Sequence, residues 1–198
     1  MKVYRLEPES GKYKNIYLSD DTDIELRLTD YFDFRGKPKM SEWSTPEVYL
    51  EELEDEDVGT QPVPDIAGFR PDTLVLSQRA ADLFSPYLKD TVELLPMNCG
   101  WETWYAVNVL NVVNAVDYEQ SEIQRDDDGD FIGMNTTVID PNKVKPGQLF
   151  KIPEDNRTTI LYLEPDNSSD DLIALIKKHG LTGLRFVEAN RWSEEFIR

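Results

Sequence analysis

The sequence predicts an α+β fold: a mixed or mostly antiparallel sheet, a few short helices, and one strand-helix-strand unit near the C-terminus. Three observations lead there. Short apolar or alternating runs recur between polar turns, three segments carry helix-start chemistry, and no repeat, coiled-coil or transmembrane pattern competes. The chain has 198 residues, with eight Phe, nine Tyr and four Trp offsetting a modest 39% apolar content. Buried aromatics cover large areas, so this is a globular chain with a real core. A strand-rich region with an acidic segment is expected over residues 1–65 and an α+β domain over 70–192. The alternative is that the two form one compact unit.

The first strands expected are "KVYRL", "NIYLS" and "DIELRL", the last with Ile24, Leu26 and Leu28 alternating against Glu25 and Arg27. "FRGKPK" reads as a turn. In "STPEVYLEELEDEDVG", Ser44 or Thr45 as cap and Pro46 at the first helical position predict a short helix. It runs into the acidic block Glu51 to Asp57, which opposes the dipole at a helix C-terminus. The prolines and glycines of "GTQPVPDIAGFRPD" mark a boundary.

Beyond it, "TLVLS" reads as a buried strand, Ser77 as the cap of a helix "QRAADLFSPYL", and "TVELLPM" and "TWYAVNV" as strands. "NVLNVVNAVD" stays open: Asn108, Asn111, Asn114 and Asp117 recur with helical spacing, whereas the valines favour strand. "GQLFKI" and "TTILYLE" are further strands. The clearest element is "NSSDDLIALIKKHGLTGLRFVEA". Ser168 or Ser169 caps a helix, Asp170 and Asp171 suit its positive end, and Leu172, Leu175 and Ile176 form its apolar stripe. Lys177, Lys178 and His179 suit its negative end, and Gly180 ends it with Leu181 packing back. "LRFVEA" follows as a strand, completing a strand-helix-strand unit.

The run "QRDDDGDFIGMN" tests for a metal. Asp126, Asp128 and Asp130 alternate like calcium ligands, but the sixth position is Phe131 where a glycine is needed. The twelfth is Thr137 where a bidentate glutamate is needed. Asp128-Gly129 instead favours the positive φ of a hairpin turn, so Arg125 to Asp130 is read as a hairpin tip. No metal or other cofactor is expected.

The formal charge of −18, from 39 acidic and 21 basic residues, excludes whole classes of partner. Nucleic acid and anionic membranes would repel such a surface, while basic proteins would be drawn to it. Solubility alone is an equally ordinary reason for acidity. One cysteine permits no internal disulfide, the opening residues lack a signal-peptide core, and no run approaches the about 18 apolar residues of a span. The expected location is cytoplasmic.

Catalytic machinery is sparse. The one histidine, His179, has a sufficient role at a helix end, and Cys99 has no basic neighbour in sequence to activate it. Neither a GxGxxG motif nor a P-loop is present. "GWETWYAV" offers Trp101, Glu102 and Trp104 either as an interface or as a sugar- or ligand-stacking pocket, against the plainer reading that Trp104 or Tyr105 is core. The acidic block has its own plain reading as a solvated loop. By elimination the residues favour binding over catalysis.

Four blocks in order, "PDTLVLSQRAADLF", "WYAVNVLNVVNAVD", "GQLFKI" and "HGLTGLRFVEANRW", resemble the bacterial immunity protein 11 family of polymorphic toxin systems, from about Pro71 to Trp192. The first 65 residues carry no such likeness. The resemblance implies a noncatalytic inhibitor that binds a cognate toxin and protects the producing cell. Joined to the charge, it suggests toxin contacts at Glu51, Glu52, Glu54, Asp55, Glu56, Asp57, Trp101, Glu102 and Trp104, facing a basic, nuclease-like toxin. The alternatives are a small-molecule or carbohydrate-binding module or hydrolase with a carboxylate- and Trp-lined pocket, and a structural adaptor.

Overall fold

The computed structural model describes residues 1–19, 30–51, 60–70, 73–88, 90–100, 102–129, 131–166 and 171–189. Two four-stranded antiparallel sheets organise them. In the first, β1 (Val3–Pro8) lies between β11 (Leu161–Leu163) and β12 (Leu184–Glu188), with β10 (Leu149–Phe150) outside β11. In the second, β4 (Ile66–Arg70), β5 (Thr73–Ser77), β7 (Glu102–Val109) and β6 (Val92–Cys99) follow in that order. Two ribbons complete the strands: β2 (Asn15–Leu18) with β3 (Val48–Glu51), and β8 (Glu122–Arg125) with β9 (Phe131–Thr136). With helices α1 (Gln78–Leu88) and α2 (Leu172–His179), the fold is α+β with mostly antiparallel sheets, as expected.

Strand periodicity distributes the core. In the second sheet, Leu74, Leu76, Val107 and Val109 point to one face, where Ala80, Ala81, Phe84 and Leu88 of α1 cover them. Val75, Leu95, Met97, Trp104 and Ala106 point to the other, against Ile16, Phe32, Phe34 and Val48. Burial on both faces explains why these strands read as nearly continuous apolar runs. The first sheet sends Leu6, Leu149, Tyr162 and Leu184 into the core that holds α1 and α2. Its opposite face packs Val3, Phe150, Leu161 and Leu163 against Ala115, Val116, Ile139 and Val144.

Both helices obey their local chemistry. The Ser77 hydroxyl accepts from the Ala80 N–H at 3.2 Å, as expected for α1. For α2 the cap falls at Asp171, whose Oδ1 accepts from the Ala174 N–H at 2.7 Å, not at Ser168 or Ser169. Those serines and Asp170 lie outside the described residues. Asp171 wins because its extended backbone aims the carboxylate at the free N–H groups of the first turn. Gly180 is left-handed, at φ 59° and ψ 39°, and Leu181 N–H returns to the Ile176 carbonyl at 3.0 Å, the doubled ending of a Schellman motif. The buried Tyr162 hydroxyl accepts from the Leu172 N–H at 3.3 Å, and burial pushes its phenol up to about 12. Because β11 and β12 both run antiparallel to β1, they run parallel to each other, with α2 as their crossover and β1 inserted between them.

One expectation is overturned, one open reading is decided and one cannot be compared. Val48–Glu51 is a strand, not the helix read from Ser44, Thr45 and Pro46: Ile16 pairs Leu50 and Tyr17 pairs Tyr49, and Val48 is 5% exposed in the core. Pairing with β2 and burial of alternate residues override a capping signal that has no helix to cap. "NVLNVVNAVD" forms no helical turn; after β7 it is extended, with bridges from Val112 to Lys151 and from Val116 to Ile139. "DIELRL" lies outside the described residues. The hairpin tip at Arg125–Gly129 is as expected, with Gly129 at φ 87° and the Asp128 N–H donating to Asp126 Oδ1 at 3.1 Å. Asp130 lies outside the described residues.

Candidate functional site

Of the two stretches singled out for binding, the described residues near the second sheet are Glu51 at the end of β3 and Glu102 to Trp104 of β7. β3 approaches β6 in parallel through the bridge between Glu47 and Asn98. The Asn98 N–H donates to the Pro46 carbonyl at 2.8 Å, and its side-chain amide donates to Glu47 Oε1 at 2.5 Å. Since the two strands run the same way, β3 reaches Glu51 beside the end at which β6 turns through Gly100 into β7. Gly100 sits at φ 64°, and Glu102, exposed, pairs with Cys99 as β7 begins. Glu51 and Glu102 therefore share one end of the molecule. Glu52, Glu54, Asp55, Glu56, Asp57 and Trp101 lie outside the described residues.

Trp104 does not join them. It is 1% exposed and packs on the inner face of the second sheet with Leu95, Met97 and Phe34, the core reading of the "TWYAV" strand. Tyr105, on the opposite face, donates from its hydroxyl to Gln78 Oε1 at 2.8 Å on α1. Burying Trp104 removes it from any contact surface and makes it the foundation of the β6–β7 hairpin instead.

An aromatic layer fixes the angle at which β3 meets that hairpin. Trp43 stacks on Tyr31 with ring centroids 4.7 Å apart and touches Phe32 edge-on at 5.7 Å; its indole N–H donates to the Pro96 carbonyl at 2.7 Å. The Tyr31 hydroxyl holds Ser44, accepting from its N–H at 2.6 Å. Further along β6, Glu93 accepts from the Lys39 N–H at 2.7 Å and from the buried Asn108 amide at 2.9 Å. These bonds tie the 37–46 segment to β6 and β7, so β3 is presented on a rigid base.

The solvent face of β3 carries, besides Glu51, two residues that the sequence reading passed over, Glu47 and Tyr49. Glu47, Tyr49 and Glu51 alternate outward while Val48 and Leu50 turn to the core. Tyr49 is 40% exposed and stacks on Tyr17 of β2, centroids 5.9 Å apart and planes inclined by 29°. The alternation in "EVYLE" was the available signal, obscured by reading the segment as a helix.

Cys99 carries no sign of nucleophilic activation. Burial pushes its thiol above the ordinary range, and the nearby carboxylates of Glu102 and Glu47 push it the same way. His179 holds its place at the end of α2, where its carbonyl accepts from Arg79 Nη2 at 2.5 Å. Two of the clefts among the described residues open elsewhere. One, of about 160 Å³, runs between the sheets past Arg5, Glu7, Arg70, Thr73 and Thr159. The other is a narrow, largely apolar depression beside Ile139, Ile152, Leu161 and Val187. Neither is lined by Glu102 or Trp104. Among the described residues, no helix is long and apolar enough to cross a membrane.

A family model described as an immunity protein family (Imm11) matches residues 14–191. The chain belongs to the Imm11 immunity protein family. The likeness seen in four blocks between Pro71 and Trp192 thus extends back through the ribbon of β2 and β3, so the Imm11 match takes in most of the region that carried no likeness in sequence. No curated protein matches this Imm11 chain.

Proposed function

We propose that this chain is a noncatalytic immunity protein that binds a cognate toxin in the cytoplasm and neutralises it through an acidic face. The observation that supports the reading, beyond family membership, is that β3, bridged in parallel to β6 through Glu47 and Asn98, runs toward the end at which β6 turns into β7 and Glu102 is exposed. The acidic block continues directly from Glu51 as Glu52, Glu54, Asp55, Glu56 and Asp57. Carboxylates this dense in sequence, in a protein of charge −18, concentrate its negative field locally. Such a field raises the encounter rate with a cationic surface and orients its approach. A nuclease-like toxin, whose cleft must hold phosphates, presents the complementary charge.

The test pairs protection with kinetics. A candidate toxin that arrests growth when expressed alone should be harmless when co-expressed with this chain. Association of the purified pair should slow about tenfold or more when the block is neutralised as E51Q, E52Q, E54Q, D55N, E56Q and D57N. Its salt dependence should flatten in parallel, because screening then has less attraction to remove. Unchanged association at low salt would sink the acidic-face mechanism; failure to protect against the toxin would sink the immunity reading.

A further inference from the structure

The tip of the β8–β9 hairpin carries a chemically reactive pair. Asp128-Gly129 is the one Asp-Gly in the sequence, which holds no Asn-Gly. Both residues are exposed. Gly129 stands at φ 87° with nothing within 4 Å of the place a Cβ would take, so no side chain screens its nitrogen from the preceding carboxyl. The pairing that makes the turn therefore also leaves an amide nitrogen one five-membered ring away from Asp128 Cγ.

Two bonds close the tip. The Gly129 N–H donates to the Asp126 carbonyl at 3.0 Å, which holds that nitrogen in the turn. Arg125 Nη1 reaches across and donates to the Gly129 carbonyl at 2.9 Å. Behind them the ladder pairs four residues with two register shifts, and three of the four β8 residues are exposed. Little burial opposes opening, so the tip belongs to the low-stability end of the molecule.

We propose that Asp128-Gly129 is a site of spontaneous aspartyl isomerisation, with Arg125 as the positioning residue that slows it by holding the tip closed. When the tip opens, the Gly129 nitrogen attacks Asp128 Cγ. The N–Cγ bond forms, the Cγ–OH bond breaks, and the amide proton leaves with that hydroxyl as water, closing a succinimide. Water then adds back at one of two carbonyls. Addition at Cγ restores aspartate. Addition at the main-chain carbonyl of Asp128 breaks its bond to nitrogen and routes the chain through Cβ and Cγ. The isoaspartyl product keeps the composition and the formal charge but has one more atom in its backbone. That atom works against the Arg125–Phe131 pairing, because hairpin register follows the length of its turn. The arm thus changes shape without changing its charge.

The full-length chain is aged in warm, mildly acidic buffer, and isoaspartate is located by electron-transfer fragmentation of its proteolytic peptides. Conversion at Asp128 should exceed that at every other aspartate. D128E should abolish it, since the same attack would have to close a six-membered ring. R125A should convert about two- to fivefold faster than wild type, the ratio set by losing one exposed hydrogen bond, and R125K, which keeps a donor, should lie between. A synthetic peptide of residues 124–135, free of the fold, should convert faster than the chain. Absence of isoaspartate at Asp128 in the aged chain overturns the proposal, whether or not the peptide converts. R125A ageing at the wild-type rate, or a peptide no faster than the chain, overturns the role given to the closed tip.

Discussion

The two long hairpins of this protein begin from the same local chemistry and end as opposites. Both turn through a glycine at positive φ, Gly100 at 64° and Gly129 at 87°, with open space around each Cα. The β6–β7 hairpin then pairs eight residues without a break and buries side chains on both faces. The β8–β9 hairpin pairs four with two register shifts, and Ile132 stands 62% exposed. Turn chemistry starts a hairpin; apolar residues on both faces decide whether it becomes framework or a solvated arm. The difference teaches where binding residues can sit. A hairpin built into the core can carry a site at its turn, because the strands behind it do not move.

Substitutions can break that contrast or sharpen it. The largest effect is expected from Trp104→Ala, which empties a core position and should cost about 3–5 kcal/mol in urea unfolding. A cost under about 1 kcal/mol would mean that β6–β7 is not framework at all. Next come Gly100→Ala and Gly129→Ala, each forcing an alanine to positive φ at about 1–2 kcal/mol. The prediction is that the first lowers the global unfolding free energy, whereas the second is felt only in amide exchange of β8 and β9. Equal global losses would erase the distinction. Ile132→Ala should then lie within about 0.5 kcal/mol of wild type.

The smallest effect is a rate. A thiol held above its ordinary range is less ionised at any given pH, so Cys99 should alkylate more slowly than a free thiol near neutrality and accelerate only at higher pH. Glu102→Gln removes one of the charges holding it up and should shift the rate profile toward lower pH. A profile unmoved by that change would place Cys99 away from the carboxylates at the turn.

Much of this was legible in sequence because its causes are local. Ser77 bonds a backbone N–H three residues on, Gly180 takes the left-handed stop, and Asp128-Gly129 makes its turn; each needs only near neighbours. What failed was decided at a distance. Ser44, Thr45 and Pro46 carry a helix signature, yet Val48–Glu51 pairs with a strand some thirty residues earlier and bridges another some fifty residues later. Tyr49 was unreadable as a surface residue until that strand had a partner and hence two faces. Trp104 shows the reverse: strand alternation places one of two adjacent aromatics inside, but only the packing of Phe34 and Met97 settles which. That β3 runs toward the β6–β7 turn follows from the Glu47–Asn98 bridge, which no local pattern announces.

The insertion of β1 between β11 and β12 bears on how the chain comes to be made. Val3 pairs with Leu163 and Pro8 with Leu184, so β1 must wait for strands far later in the chain before its sheet can close. Residues 66–109, by contrast, hold all four strands of the second sheet and α1 in one continuous span. On a ribosome that span emerges with every strand its sheet pairs, while β1 stays unpaired until β11 and β12 follow. Pulse-labelled nascent chains should therefore acquire protease resistance in the middle first and at the amino end last.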